Sequence, residues 1–168
     1  MTAEQQLIDS GLRAWKDSVD RIESFFQPLS EEQLEQVVAP GRNRLRYLWG
    51  HIASVNDALL PLLGIGSRLH PALDAMFVAN ADRHSPALLL GSALEQVSGE
   101  IHGALWAAFS RWSAQDWLAK HTAVSDEDFR REPHRNRFTV MLNRTTHMAV
   151  HYGQAVLARP RTRGVGRG

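Results

Sequence analysis

The sequence predicts an all-α protein: a four-helix bundle with a long crossover between its second and third long helices. Three observations carry this. Four proline-poor stretches, each about 20 to 27 residues, place apolar side chains at alternating spacings of three and four, the signature of a helix with one buried face. No stretch alternates with a period of two, so strand signals are absent. Breakers separate the stretches: Pro28, then Ala39-Pro40-Gly41, then Gly64 and Gly66, and finally Pro160.

The first helix is expected over Ala3 to Gln27, with Ile8, Leu12, Trp15, Val19, Ile22 and Phe26 as its stripe. Pro28 ends it. Ser30-Glu31-Glu32-Gln33 has the pattern of a capping box opening a short helical turn. Asn43 is suited to cap the second long helix, Arg44 to Leu63, whose stripe is Leu45, Leu48, Ile52, Val55, Leu59 and Leu62. Between Gly64 and Pro86 the chain is irregular. Leu69, Leu73, Met76, Phe77 and Val78 make it too apolar for a free linker, so it should fold onto the body, with a short helix near Pro71 to Phe77. Ser85-Pro86 reads as the start of the third helix, which runs to about Trp112 along Leu90, Leu94, Val97, Ile101, Leu105 and Ala108. Ser113 to Trp117 resembles a short helical turn, and His121 to Arg135 a polar loop. The fourth helix spans Arg137 to Arg159, with Phe138, Met141, Leu142, Thr145, Met148, Ala149, Tyr152 and Val156 inward.

Length and composition bound the function. At 168 residues, one domain with a proper core is expected, residues 1–159, followed by a basic tail at 160–168. Removing the four charges of Arg159, Arg161, Arg163 and Arg167 from the net +1 leaves −3 for the rest. The basic balance therefore belongs to a Pro, Gly and Arg-rich end expected to be disordered, and nucleic-acid binding is disfavoured. Cysteine is absent, which removes disulfides, thiolate ligands and cysteine nucleophiles. The amino terminus lacks a charged segment followed by an apolar run, and no stretch approaches about 18 apolar residues, so neither a signal peptide nor a membrane span is expected. A cytoplasmic setting is the default.

Candidate chemistry concentrates in the last helix, at Thr146-His147-Met148-Ala149-Val150-His151-Tyr152-Gly153-Gln154. Four residues of helix put His147 and His151 about 40° apart on one face and about 6 Å along it, close enough for both imidazoles to hold one metal ion. Alone, the pair reads equally well as two polar residues on a helix flank. His51 changes the balance, because it lies on the inner flank of the second long helix, and bundles build metal sites from ligands projecting inward on facing helices. Three neutral imidazoles with an open position make a catalytic type of site. Asn143, one turn before His147, and Gln154, one turn after His151, could orient ligands or line a pocket. Solvent exposure is the competing reading. Arg144 could hold an anionic substrate at the pocket mouth or lie solvated on the flank. Ser54 and Asn56 are assigned to caps or surface. Asp57 lies off the His51 face, and His102 reads as a satisfied histidine at the core edge. His70, His84, His121 and His134 fall in connections and read mostly as surface groups. Trp49, Trp106, Trp112 and Trp117 read as core or dimer contacts. There is no phosphate loop, no Gly-x-Ser-x-Gly elbow, no His-Glu-x-x-His and no Glu-x-x-His on facing helices.

Trp49-Gly50-His51-Ile52-Ala53 and the H-x3-H-x-G-Q pattern of His147 to Gln154 resemble the two histidine segments of the DinB/YfiT-like superfamily, and the resemblance extends over nearly the whole chain. It implies a DinB-like bundle whose His51, His147 and His151 bind a divalent metal ion such as nickel, zinc or iron. The thiol-dependent maleylpyruvate isomerase branch usually carries glutamate where this chain has His147, which argues against that branch. Family members characterised as enzymes are often low-molecular-weight thiol S-transferases or isomerases; others look like hydrolases. The expected function is a metal-dependent transferase or hydrolase. It would activate a low-molecular-weight thiol cosubstrate, or water, against a small-molecule electrophile, in a protein expected to be a homodimer. The alternative is a non-catalytic metal-binding or dimerisation bundle with a stress-related role.

Overall fold

The structure, a computed structural model, describes residues 2–82 and 88–158. Within them the chain is all-α. The helices are α1 (Ala3–Phe26), α2 (Glu31–Leu34), α3 (Leu45–Asp57), α4 (Leu59–Leu62), α5 (Leu73–Phe77), α6 (Gly91–Phe109), α7 (Ala114–Leu118), α8 (Asp126–Arg131) and α9 (Arg137–Leu157). Among the described residues there is no strand, only isolated bridges of Val37 with Arg44 and of Lys120 with Asn136. No described helix is long and apolar enough to cross a membrane. The expected tail at 160–168 lies outside the described residues.

The four long helices are α1, α3, α6 and α9. α1 packs chiefly on α9 and α6, and α3 on α6 and α9, while Phe26 of α1 stacks on Trp49 of α3. The stripe of α1 is buried as its periodicity predicts, through Ile8, Trp15, Val19, Ile22 and Phe26. Thr2 caps its first turn, accepting from the Gln5 amide. α9 turns Met141, Met148 and Ala155 inward, seven residues apart and therefore on one line. Leu142 and Val156, expected inward, are about two-fifths exposed, at 39% and 40%.

α3 is the central element. Of its thirteen residues only His51 and Val55 are not buried. Four expectations fail around it. The predicted helix to Leu63 breaks after Asp57, because Pro61 has no N–H for the Asp57 carbonyl and its ring crowds that oxygen. Asn43 does not cap it; Arg44 is the N-cap, with no side-chain cap bond. The backbone of Asn43 is engaged in a turn, its carbonyl accepting from the Val38 amide at 3.0 Å. Asp82 supplies the missing acceptor instead, taking the Arg44 amide at 2.7 Å and the Arg44 guanidinium as well. Ser54 and Asn56, assigned to caps or surface, are wholly buried. Ser54 donates to Asp74 at 2.6 Å, and Asn56 meets His102 at 2.9 Å.

The crossover folds onto the body as expected. Leu73 and Phe77 are buried, while Leu69 and Val78 remain about half exposed. Its anchor is polar. Asp57, fully buried, accepts from the Leu69 amide at 2.8 Å, the His70 amide at 3.1 Å and Arg68 Nε at 3.0 Å. Arg68 also pairs with Asp74 of α5. The expected start of the third helix at Ser85-Pro86 lies outside the described residues, but Leu88 to Leu90 are non-helical and α6 begins at Gly91. Trp49 and Trp117 are core residues, and Trp106 stacks on Trp15 with its outer face exposed. Trp112 lies under the Arg137 guanidinium.

Candidate metal centre

α3 and α9 pack together, and that contact brings His51 to the His147 and His151 face. The three side chains form a group whose ligand atoms all lie within 4.8 Å of one another. Nε2 of His147 is 3.3 Å from Nε2 of His51 and 3.1 Å from Nε2 of His151. Four ligands at tetrahedral angles and metal–nitrogen distances of about 2.0–2.1 Å would place such nitrogens about 3.3 Å apart. Both nitrogen separations from His147 therefore match those of a metal centre.

The outer nitrogens decide which way the lone pairs point. His51 Nδ1–H donates to the Phe77 carbonyl at 2.8 Å, since a carbonyl can only accept. His151 Nδ1 meets Gln154 Oε1 at 2.9 Å and donates to it likewise. Both rings then present an unprotonated Nε2 to the cluster, the tautomer a metal requires. His147 Nδ1 is buried without a partner. Burial, the neighbouring imidazoles and the Arg144 charge push the His147 pKa down to about 4. His51 is shifted down too, chiefly by burial. No carboxylate belongs to the group. Three neutral donors of this kind fit a borderline divalent ion, and imidazole suits zinc, copper, iron and nickel alike.

Packing holds His51 in place. Tyr47 stacks on its ring at 6.2 Å, tilted by 9°, and donates its hydroxyl to the Asn80 carbonyl. Phe77 lies directly against Gly50, so α5 can approach α3 closely enough for its carbonyl to reach His51. An open cleft of about 550 Å³ reaches His151 and Gln154, with Leu157 on one wall and the turn of Val38 to Asn43 on the other. Gly41 shapes that turn at φ +71°, a conformation side chains rarely adopt.

The remaining candidates separate clearly. Gln154 acts on the site through His151. Asn143 is exposed, and its side chain makes no hydrogen bond among the described residues. Arg144 is partly buried, with Nε buried and unpaired. His102 is a buried core histidine between Glu23 and Asn56. Asp57 serves the crossover. His70 pairs with Glu100, His134 is exposed, and His84 lies outside the described residues. Sequence reasoning missed Phe77, because a backbone carbonyl carries no residue-type signal. It also missed the turn at Val38 to Asn43, although Ala39-Pro40-Gly41 marked a turn without saying what it faced. No protein-family model matches the chain, and no curated protein matches it.

Proposed function

We propose that the chain is a DinB/YfiT-like four-helix bundle, formed by α1, α3, α6 and α9, and that it is a metal-dependent enzyme. The ligands are His51, His147 and His151. The reaction class is transfer of a low-molecular-weight thiol, or of water, to a small electrophile. The observation that carries the reading is the convergence of three Nε2 atoms while two of the outer nitrogens are held by Phe77 and Gln154. The family assignment rests on the sequence resemblance alone, and the homodimer on that resemblance together with the broad apolar helix faces.

The residues have separable tasks in this reading. His147 and His151 form a fixed pair, because one helix sets their spacing. His51 closes the triangle and is oriented by the crossover. Only three protein ligands are present among the described residues, which is the donor count of a catalytic site. A divalent ion bound there would supply undiminished positive charge, lowering the pKa of water or of a thiol. Since cysteine is absent, that thiol has to be a cosubstrate.

The test starts with untagged protein and metal analysis. About one equivalent of zinc, nickel or iron per chain is expected, and His51→Ala should lose it while staying folded. Thiols are then screened against a chromogenic aryl halide, with His147→Ala as control. A wild-type chain that takes up no metal ends the reading. Metal uptake with no turnover for any thiol, or in hydrolysis, favours the non-catalytic alternative.

A further inference from the structure

Arg144 stands three residues before His147 on α9, so their Cβ atoms are about 5–6 Å apart on the same face. Its charge acts on both His51 and His147. Its Nε is buried without a hydrogen-bond partner, and the guanidinium makes no hydrogen bond or ion pair among the described residues. Arg137 also has a buried, unpaired Nε, but its guanidinium donates to the Asp116 carbonyl at 3.3 Å and lies over the Trp112 ring. Three further arginines, Arg46 buried and Arg44 and Arg68 partly so, show what a structural arginine looks like in this chain. Arg44 pairs with Asp82 and Glu35, Arg46 with Glu31 and Glu35, and Arg68 with Asp57 and Asp74. Those partners raise the pKa of all three, whereas burial alone lowers that of Arg144. Nor is an acidic side chain left over elsewhere: positions 1, 83–87 and 159–168 contain no Asp or Glu.

A partly buried guanidinium whose Nε–H has no acceptor is costly, and such groups persist where a ligand supplies what is missing. The charge balance points the same way. The three imidazoles are neutral donors, so a divalent ion added to them would keep its full charge beside a further positive charge. We infer that Arg144 is an anion-anchoring residue, and that the site takes a compact carboxylate-bearing small molecule whose carboxylate lies on the guanidinium while its other end faces the three imidazoles. The planar fork of an arginine matches a carboxylate through two parallel hydrogen bonds. This substrate class rests on the metal reading for the reacting end; the anion anchor itself does not.

The test therefore begins with metal-free protein. The Nε–H resonance of Arg144, assigned by its disappearance in Arg144→Lys, is followed while acetate, succinate or inorganic phosphate is added. A saturable shift with the carboxylates is expected. No shift with any of the three overturns the anchor, and a shift with phosphate alone overturns the carboxylate assignment. Cobalt(II) is then added, and its visible spectrum reports acetate binding. Arg144→Gln should weaken that binding at least tenfold, with Arg144→Lys in between. If cobalt does not bind, the metal reading fails while the resonance experiment still decides the anchor. Thermal unfolding separates a structural role. Arg144→Met should unfold about 2–4 °C higher than wild type, because it removes a desolvated charge that has no partner. A lower Tm for Arg144→Met would mean that the guanidinium holds the fold together, and the proposal would be wrong.

Discussion

Gly50→Ala should disturb the three-histidine cluster without touching any of its side chains. A Cβ at Gly50 would sit well inside 3.0 Å of three ring atoms of Phe77. Ordinary carbon contacts lie at about 3.5–4.0 Å, so the ring must retreat by about 1 Å. Phe77 is fully buried and cannot swing into solvent. Asp74 on the same short helix is held by Ser54 and Arg68, so α5 resists moving as a whole. The retreat therefore strains the crossover at the residue whose carbonyl holds His51 at 2.8 Å. A lengthening of about 0.7 Å takes that contact past hydrogen-bonding range. Overpacking of this kind costs about 1–3 kcal/mol, offset by about 1 kcal/mol for replacing glycine with alanine in a helix. The net loss reaches about 2 kcal/mol, or up to about 8 °C in Tm for a domain of this size. Losing the orienting bond should weaken metal binding by about 10–100-fold. Both are measurable, by thermal unfolding of metal-free protein and by zinc titration against a competing chelator. Adding Phe77→Leu should recover part of the stability, with a coupling of about 1 kcal/mol in the double-mutant cycle. Unchanged Tm and unchanged affinity would refute the reasoning. A lower Tm with unchanged affinity would cut the link from Phe77 to His51.

Three further outcomes follow from the same contacts. Gln154→Leu removes the acceptor of His151 Nδ1 from an exposed position, so zinc affinity should fall about 10–100-fold while Tm moves by no more than about 2 °C. Asp57→Ala removes one of the two carboxylates on Arg68 and the acceptor of two crossover amides from a fully buried position; urea unfolding should show a loss of about 2–5 kcal/mol, and amide exchange at Leu69 and His70 should accelerate. The third concerns pH in the metal-free protein, where the His147 pKa lies at about 4 against an ordinary 6.5. Between those values the unfolded chain binds the extra proton, so stability is full above pH 6.5, declines as pH falls through the window, and is lost below 4. With the ring partly exposed, the contribution is about 1–2 kcal/mol. Urea midpoints of wild type and His147→Gln should converge across that window, and a constant gap would contradict the shift.

Much of this was legible because helix periodicity and ligand spacing are local. Ile8 to Phe26 read correctly as a buried stripe, and the His147–His151 pair needed only the geometry of one helix. His51 was placed on an inner flank by the apolar residues around it. What failed depended on partners distant in sequence. Ser54 and Asn56 look like cap or surface residues, and nothing local shows that Asp74 and His102 will meet them. Asn43 has the chemistry of an N-cap, but its backbone is spent on a turn with Val38, and Asp82 does the capping from the crossover. Pro61 is visible in the sequence, but its missing N–H acts four residues upstream, at Asp57. Arg144 is open in the sequence between holding an anion and lying solvated, and its lack of a carboxylate emerges only when every acidic side chain has been placed.

The same distant contacts explain how a site assembled from two helices keeps its register. Asn56 donates to Met148 Sδ at 3.3 Å, and Met148 is the neighbour of His147. Its amide also reaches Nε2 of His102, whose Nδ1–H donates to Glu23 at 2.8 Å. One buried amide thus ties α3 to α6 and α9, and through His102 to α1. Asn56 lies about 140° around α3 from His51, so α3 is gripped on one side by this network and on another by the Phe77 carbonyl. Rotating α3 to withdraw His51 from the cluster would break both. A buried polar network of this kind adds little net stability over an apolar core, and Asn56 Oδ1 is itself left without a partner. What it supplies is a single allowed rotation and height of α3 against α9, and those two quantities decide whether three imidazole nitrogens meet at one point.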